Sequence, residues 1–121
     1  MINLKQIEPE LFNGTAKQSA ESIAGEGDRT NKATQLRKFY DEIVMWDNKV
    51  AMHPEKFTEY LPFILMLNAK AAYAQGRKLV GYKYVTLLNE CLQQVENVET
   101  MRTFKLFMEA FMGFYKQERP N

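Results

Sequence analysis

The sequence predicts an all-α protein, a compact bundle of about five helices, and three observations carry that reading. Only six Gly and four Pro interrupt 121 residues. Ala, Leu, Met, Gln, Glu and Lys, which lose little rotamer freedom in a helix, are plentiful. Apolar residues recur at three- and four-residue spacing over long segments, and no segment keeps the two-residue alternation of a strand. With 45% hydrophobic residues, the length suits one domain and is short for two.

The first helix is expected from about Glu8, with Pro9 at a first helical position where its missing N–H costs nothing. Gly14 and the run Gly25-Glu26-Gly27-Asp28 keep it short and make residues 25–30 a loop. A long helix follows over 31–52, where Leu36, Phe39, Tyr40, Ile43, Val44 and Val50 form one apolar stripe. Pro54 stops it. Pro62 lacks a backbone donor and crowds the preceding turn, which predicts two pieces, 54–60 and 62–75, with Gly76 as a left-handed terminator. Beyond Gly81, residues 82–95 hold Tyr82, Val85, Leu88 and Leu92 in helical phase. The last helix, 98–116, carries Met101, Phe104, Met108, Phe111 and Tyr115 on one side, widened by Phe107 and Phe114.

Composition excludes several chemistries. One Cys, Cys91, cannot form an internal disulfide or a cysteine zinc site, and one His, His53, leaves few nitrogen ligands for a transition metal. His53 precedes a helix-starting Pro, and Ser19, Ser22 and Cys91 lie in no nucleophile turn. Gly25-Glu26-Gly27-Asp28 lacks the spacing and the lysine of a phosphate loop. Asp41 and Glu42 point to different sides of a helix. No catalytic residue, metal or cofactor is expected. The start lacks a basic segment followed by a long apolar run, and Leu61 to Leu67 is too short to span a bilayer. A cytoplasmic protein without a membrane partner is the expectation.

The formal charge is only +1, so any electrostatic specialisation is local. Residues 60–89 contain Lys70, Arg77, Lys78 and Lys83 and no acid. Lys70 and Arg77, seven residues apart, share a helix face if the helix reaches residue 77. Such a face attracts a polyanion through counterion release, independently of sequence. Solvation alone is the competing reading. Lys32, Arg37 and Lys38 form a second cluster that Asp41 and Glu42 partly neutralise at three- and four-residue spacing. Tyr73, Tyr82 and Tyr84 lie among the cations, and rings at helical spacing usually pack in a core. Stacking on bases is the alternative. Seven Met and eight Phe also allow an exposed patch that docks a partner subunit.

Three stretches, QLRKFYDEIVMW from Gln35, LPFILMLNAKAAYAQGR from Leu61 and TFKLFMEAFMGFYK from Thr103, carry a family pattern in order and spacing. The chain resembles the small subunit of the type III-A CRISPR (Csm) effector complex, with a variable N-terminal segment over 1–30 and a matching core over 31–118. The resemblance implies a single helical domain that is not an enzyme. It also implies several copies stacked along an RNA-guided effector, beside guide RNA, target RNA, the backbone subunits and the large subunit. Guide pairing reads sequence, so this subunit needs only charge and shape. By position in the family's LRKFY and AYA-GR motifs, Arg37, Lys38, Lys70, Arg77 and Lys78 are the implied backbone contacts; Lys32 and Lys83 join them from charge alone. Asn68 stands where family members often carry a basic residue. A helical protein-interaction module without RNA contact is the alternative reading.

Overall fold

The computed structural model describes residues 2–120, and helical phase decides what its core contains. A π-helical turn, Leu11–Thr15, leads into α1, Ala16–Ala24. After a loop come α2, Ala33–Met52, a 3-10 turn, Pro54–Lys56, and α3, Phe57–Gly76. Two further helices, α4, Tyr82–Leu92, and α5, Val98–Glu118, complete the bundle, and the described residues contain no strand. Among the described residues no helix is long and apolar enough to cross a membrane.

The apolar side of α5 is the spine. Met101, Phe104, Phe107, Met108, Phe111 and Tyr115 are fully buried, at the three- and four-residue spacing that makes one helical stripe. Both α1 and α2 pack on it, while α4 packs against α3 and α1. Asn97 and Thr100 fix where α5 starts: the Asn97 side chain accepts from the Thr100 N–H at 2.8 Å and Thr100 Oγ1 accepts from the Asn97 N–H at 3.0 Å, a reciprocal cap. Between α2 and α5, the buried Asp47 carboxylate takes both its oxygens to Arg102 Nε, at 3.1 and 2.9 Å. Ile2 and Leu4 enter the same core, strapped to α4's end by Leu4 N–H donating to Gln94 at 2.7 Å and Gln94 donating back to Ile2 O at 2.9 Å.

Four expectations about elements shift. The first helix begins at Leu11 rather than Glu8, because Glu10 turns its carboxylate onto the Gly14 N–H at 3.2 Å, a place where any β-carbon on Gly14 would collide with it. The chain does not break at Pro62; α3 runs through it. An internal Pro costs about 3 kcal/mol, but this one is exposed, and Phe57, Ile64 and Leu67 on both sides of it are buried. Burial of that face outweighs the lost hydrogen bond. The left-handed residue after α3 is Lys78, φ 64°, not Gly76. Finally, α4 ends at Leu92 and the chain reaches Val95 through a turn.

Candidate nucleic-acid interface

Helix α2 presents Gln35, Lys38, Phe39 and Glu42 toward α3, which answers with Lys70, Tyr73 and Ala74, and with Arg77, the residue that caps it one position past its last turn. The spacing is the reason: three-, four- and seven-residue steps keep each set on one helical face. Between them runs an open groove of about 270 Å³, lined also by Leu79. Its floor is apolar, since Phe39 and Ala74 are buried, and its rim holds three cations against one carboxylate. Glu42 is that carboxylate, and it holds Lys70 Nζ at 2.9 Å from each oxygen while accepting from Trp46 Nε1 at 3.2 Å. Lys70 therefore reaches the groove as half of an ion pair. Among the described residues, no carboxylate lies within 4.0 Å of Lys38 or Arg77. The Arg77 guanidinium sits 5.9 Å from the centroid of the Tyr73 ring, at the outer reach of a cation–π contact.

The turn after α3 carries Lys78 and is held from two directions. Leu79 N–H returns to Ala74 O and Lys78 N–H to Gln75 O, both at 2.9 Å, the paired bonds that end a helix on a left-handed residue. From the other side comes Asn31, fully buried and itself left-handed at φ 56°. Its N–H donates to Leu79 O at 3.0 Å, and its Oδ1 accepts from Gly81 N–H at 2.8 Å. Its amide donates to Glu26 Oε1 at 2.8 Å, and its carbonyl accepts from Tyr115 Oη at 2.6 Å. One asparagine thus ties the loop after α1, the basic turn and the end of α5. The Glu26 carboxylate lies so close over Gly81 that a β-carbon there would clash, and it also accepts from Lys83 N–H at 3.3 Å.

The remaining candidates lie elsewhere. Arg37 pairs with Asp41 at 3.1 Å and covers Tyr40, whose phenol is shifted upward by burial, then by Glu109 of α5, so this cation belongs to the α5 side of α2. Lys32, at the N-cap of α2, lines a cleft with Asp28, Glu118 and Arg119. Lys83 lines a separate groove between α1 and α4 with Tyr82, Ser19, Ser22 and Glu90. The structure therefore joins Lys38, Lys70 and Arg77, sets Lys78 on the adjoining turn, and separates Arg37, Lys32 and Lys83 from them.

Sequence reasoning missed the two acids that enter the carboxylate-free stretch from outside, Glu26 and Glu42, because both partnerships span more than 25 residues. It also missed Asn31. Of the three tyrosines, Tyr84 is buried, whereas Tyr73 and Tyr82 are each 69% exposed. Next to the groove, Trp46 stacks on Phe63 with centroids 6.2 Å apart and Lys49 lies 5.5 Å from the Trp46 ring. Phe63, Leu65 and Met66 extend this surface, exposed by 54, 38 and 50%. The signal was present, for α3 is apolar on nearly every side.

Groups considered for catalysis are far less prominent. His53 is half-exposed beside Glu55 at 3.7 Å. Cys91 is fully buried, and burial pushes its thiol well above the ordinary range, which leaves it protonated and inert. Among the described residues no three His, Cys, Asp or Glu side chains gather as metal ligands would.

Comparison with known proteins adds one decisive match. The family model described as Csm2 Type III-A matches residues 8–121, while no curated protein and no solved structure matches the chain. The coverage extends from α1 through α5, including the turn that carries the basic residues. The chain belongs to the Csm2 family, the small subunits of type III-A CRISPR effectors.

Proposed function

We propose that this chain is a non-catalytic subunit, working in the cytoplasm, whose α2–α3 flank lies against the sugar-phosphate backbone of guide and target RNA. Base pairing between the two strands carries the sequence information. The chain contributes cations and shape, and several copies stack along the effector beside its backbone and large subunits. The observation that carries this reading is the convergence of Lys38, Lys70 and Arg77 on one groove, with Lys78 on the turn beside it. Residues from helices some thirty positions apart supply one cationic rim, a placement that suits phosphates and encodes no base preference.

Titration of the purified chain with two labelled single-stranded RNAs of unrelated sequence, at about 50 and 200 mM salt, tests it. Both strands bind alike, and log K falls against log salt with a slope of about −2 if Lys38, Arg77 and Lys78 each contact a phosphate while Glu42 holds Lys70. A chain without affinity at low salt overturns the proposal and favours a pure protein-interaction module. That second reading draws on the exposed Phe63 and Met66, one turn apart on α3, because exposed apolar surface of this kind marks protein contacts.

A further inference from the structure

Tyr73 is the residue in the groove that backbone contact does not use. Helical spacing favours packing for such a ring, yet it is 69% exposed, on the third turn after the exposed Phe63 and one turn before Arg77. Tyr84, one helix later, shows what packing looks like in this fold: it is fully buried between Phe39, at 5.6 Å, and Phe111, at 6.2 Å. Tyr73 has instead a guanidinium at 5.9 Å and the apolar floor of Phe39 and Ala74 beside it. Gln35, half-buried on the opposite wall, offers an amide with both donor and acceptor.

From this arrangement we infer that Tyr73 is a stacking platform for a single unpaired base of an RNA strand whose phosphates lie on Lys38 and Arg77. The inference rests on reading this flank as an RNA interface, and it adds that the interface takes an unpaired nucleotide as well as a duplex edge. Three features favour a base over other occupants. The groove, of about 270 Å³, has room for one planar ring beside Tyr73. The ring and guanidinium present the flat faces on which bases stack. Cations border the ring along both helices, where the strand's own phosphates would run. Tyr82, by contrast, shares its groove with Lys83 and Glu90, one cation offset by one carboxylate.

The test measures binding of a labelled single-stranded RNA, and of the same strand annealed to its complement, by the intact chain and by Tyr73→Ala, Tyr73→Phe and Arg77→Glu. Tyr73→Ala weakens single-strand binding about tenfold, keeps duplex binding within about twofold and leaves the salt slope unchanged, because no phosphate contact is lost. Tyr73→Phe, which keeps the ring face, binds as the unaltered chain does. If Tyr73→Ala leaves single-strand binding unchanged while Arg77→Glu reduces it, the platform is wrong and the interface stands. Equal losses on both RNAs would mean that Tyr73 only props Arg77 and would also overturn the platform. So would self-association that responds to Tyr73→Ala while RNA binding does not. If neither variant alters RNA binding, or the unaltered chain binds no RNA, interface and platform fall together.

Discussion

The two halves of α3 look out on the same solvent with different chemistry. From Tyr60 to Met66 the exposed side chains are Pro62, Phe63, Leu65 and Met66, with Trp46 of α2 stacked on Phe63. From Lys70 to Arg77 it is Lys70, Tyr73 and Arg77, with Lys38 of α2 opposite. Both halves belong to one stretch without carboxylates, residues 60–89, yet every cation in that stretch lies at or beyond residue 70. Absence of acid is thus two different things: an apolar surface suited to protein contact in the first half, and a cationic rim suited to phosphate in the second. Glu42 sits at the border, accepting from Trp46, which stacks on Phe63 of the first half, and from Lys70 of the second.

The largest effect expected is on the tie that holds the cationic half in place. Asn31→Asp sets a second carboxylate, on a fully buried residue, 2.8 Å from the half-buried Glu26, and costs about 3 kcal/mol in a denaturant titration. Glu26→Gln added to it restores a donor and recovers most of the loss; equal stability of single and double variants would show that the two side chains are not coupled. Next, Phe63→Glu should loosen incorporation into the assembled effector by about 2 kcal/mol and leave RNA affinity within about twofold. If RNA binding falls instead, the division between the halves is drawn in the wrong place.

Lys78→Gly carries a smaller effect of two signs. Glycine adopts φ 64° without steric penalty, so the variant gains about 1 kcal/mol, seen as a melting point a few degrees higher. It also loses a cation, and its salt slope flattens by about 0.7. A stabilised variant with an unchanged slope would remove Lys78 from the interface. The smallest effect belongs to Glu42→Gln. An ion pair this exposed is worth about 0.5 kcal/mol, but breaking it frees Lys70, and the slope steepens by about 0.7. If the slope stays put, Lys70 serves the α2–α3 contact alone.

Most of the fold was legible because helical phase and burial agree. The stripe from Met101 to Tyr115 is the core's spine, as its spacing required. Pro62 misled because local chemistry predicts a break and only tertiary burial of Phe57, Ile64 and Leu67 explains its absence. Gly76 misled in the opposite way: the two return bonds of the turn place the left-handed residue two positions later, and Asn31 holds that geometry on a lysine. Of the site, the partnership of Lys70 with Arg77 was legible from a seven-residue step. The contribution of Lys38 required knowing that α2 and α3 are neighbours. The separation of Lys83 and Lys32 from this groove required the same knowledge, since sequence proximity grouped Lys83 with Lys70, Arg77 and Lys78, and Lys32 with Arg37 and Lys38, whereas the fold carries each into a cleft of its own.

One comparison separates a built interface from a general pull of positive charge. Lys38→Glu with Arg77→Glu, and Lys32→Glu with Lys83→Glu, change the net charge equally, on one flank in the first case and away from it in the second. Salt dependence of RNA binding should flatten by about 1.4 in the first variant and stay as it is in the second. Equal flattening in both would contradict the assignment of RNA to the α2–α3 groove.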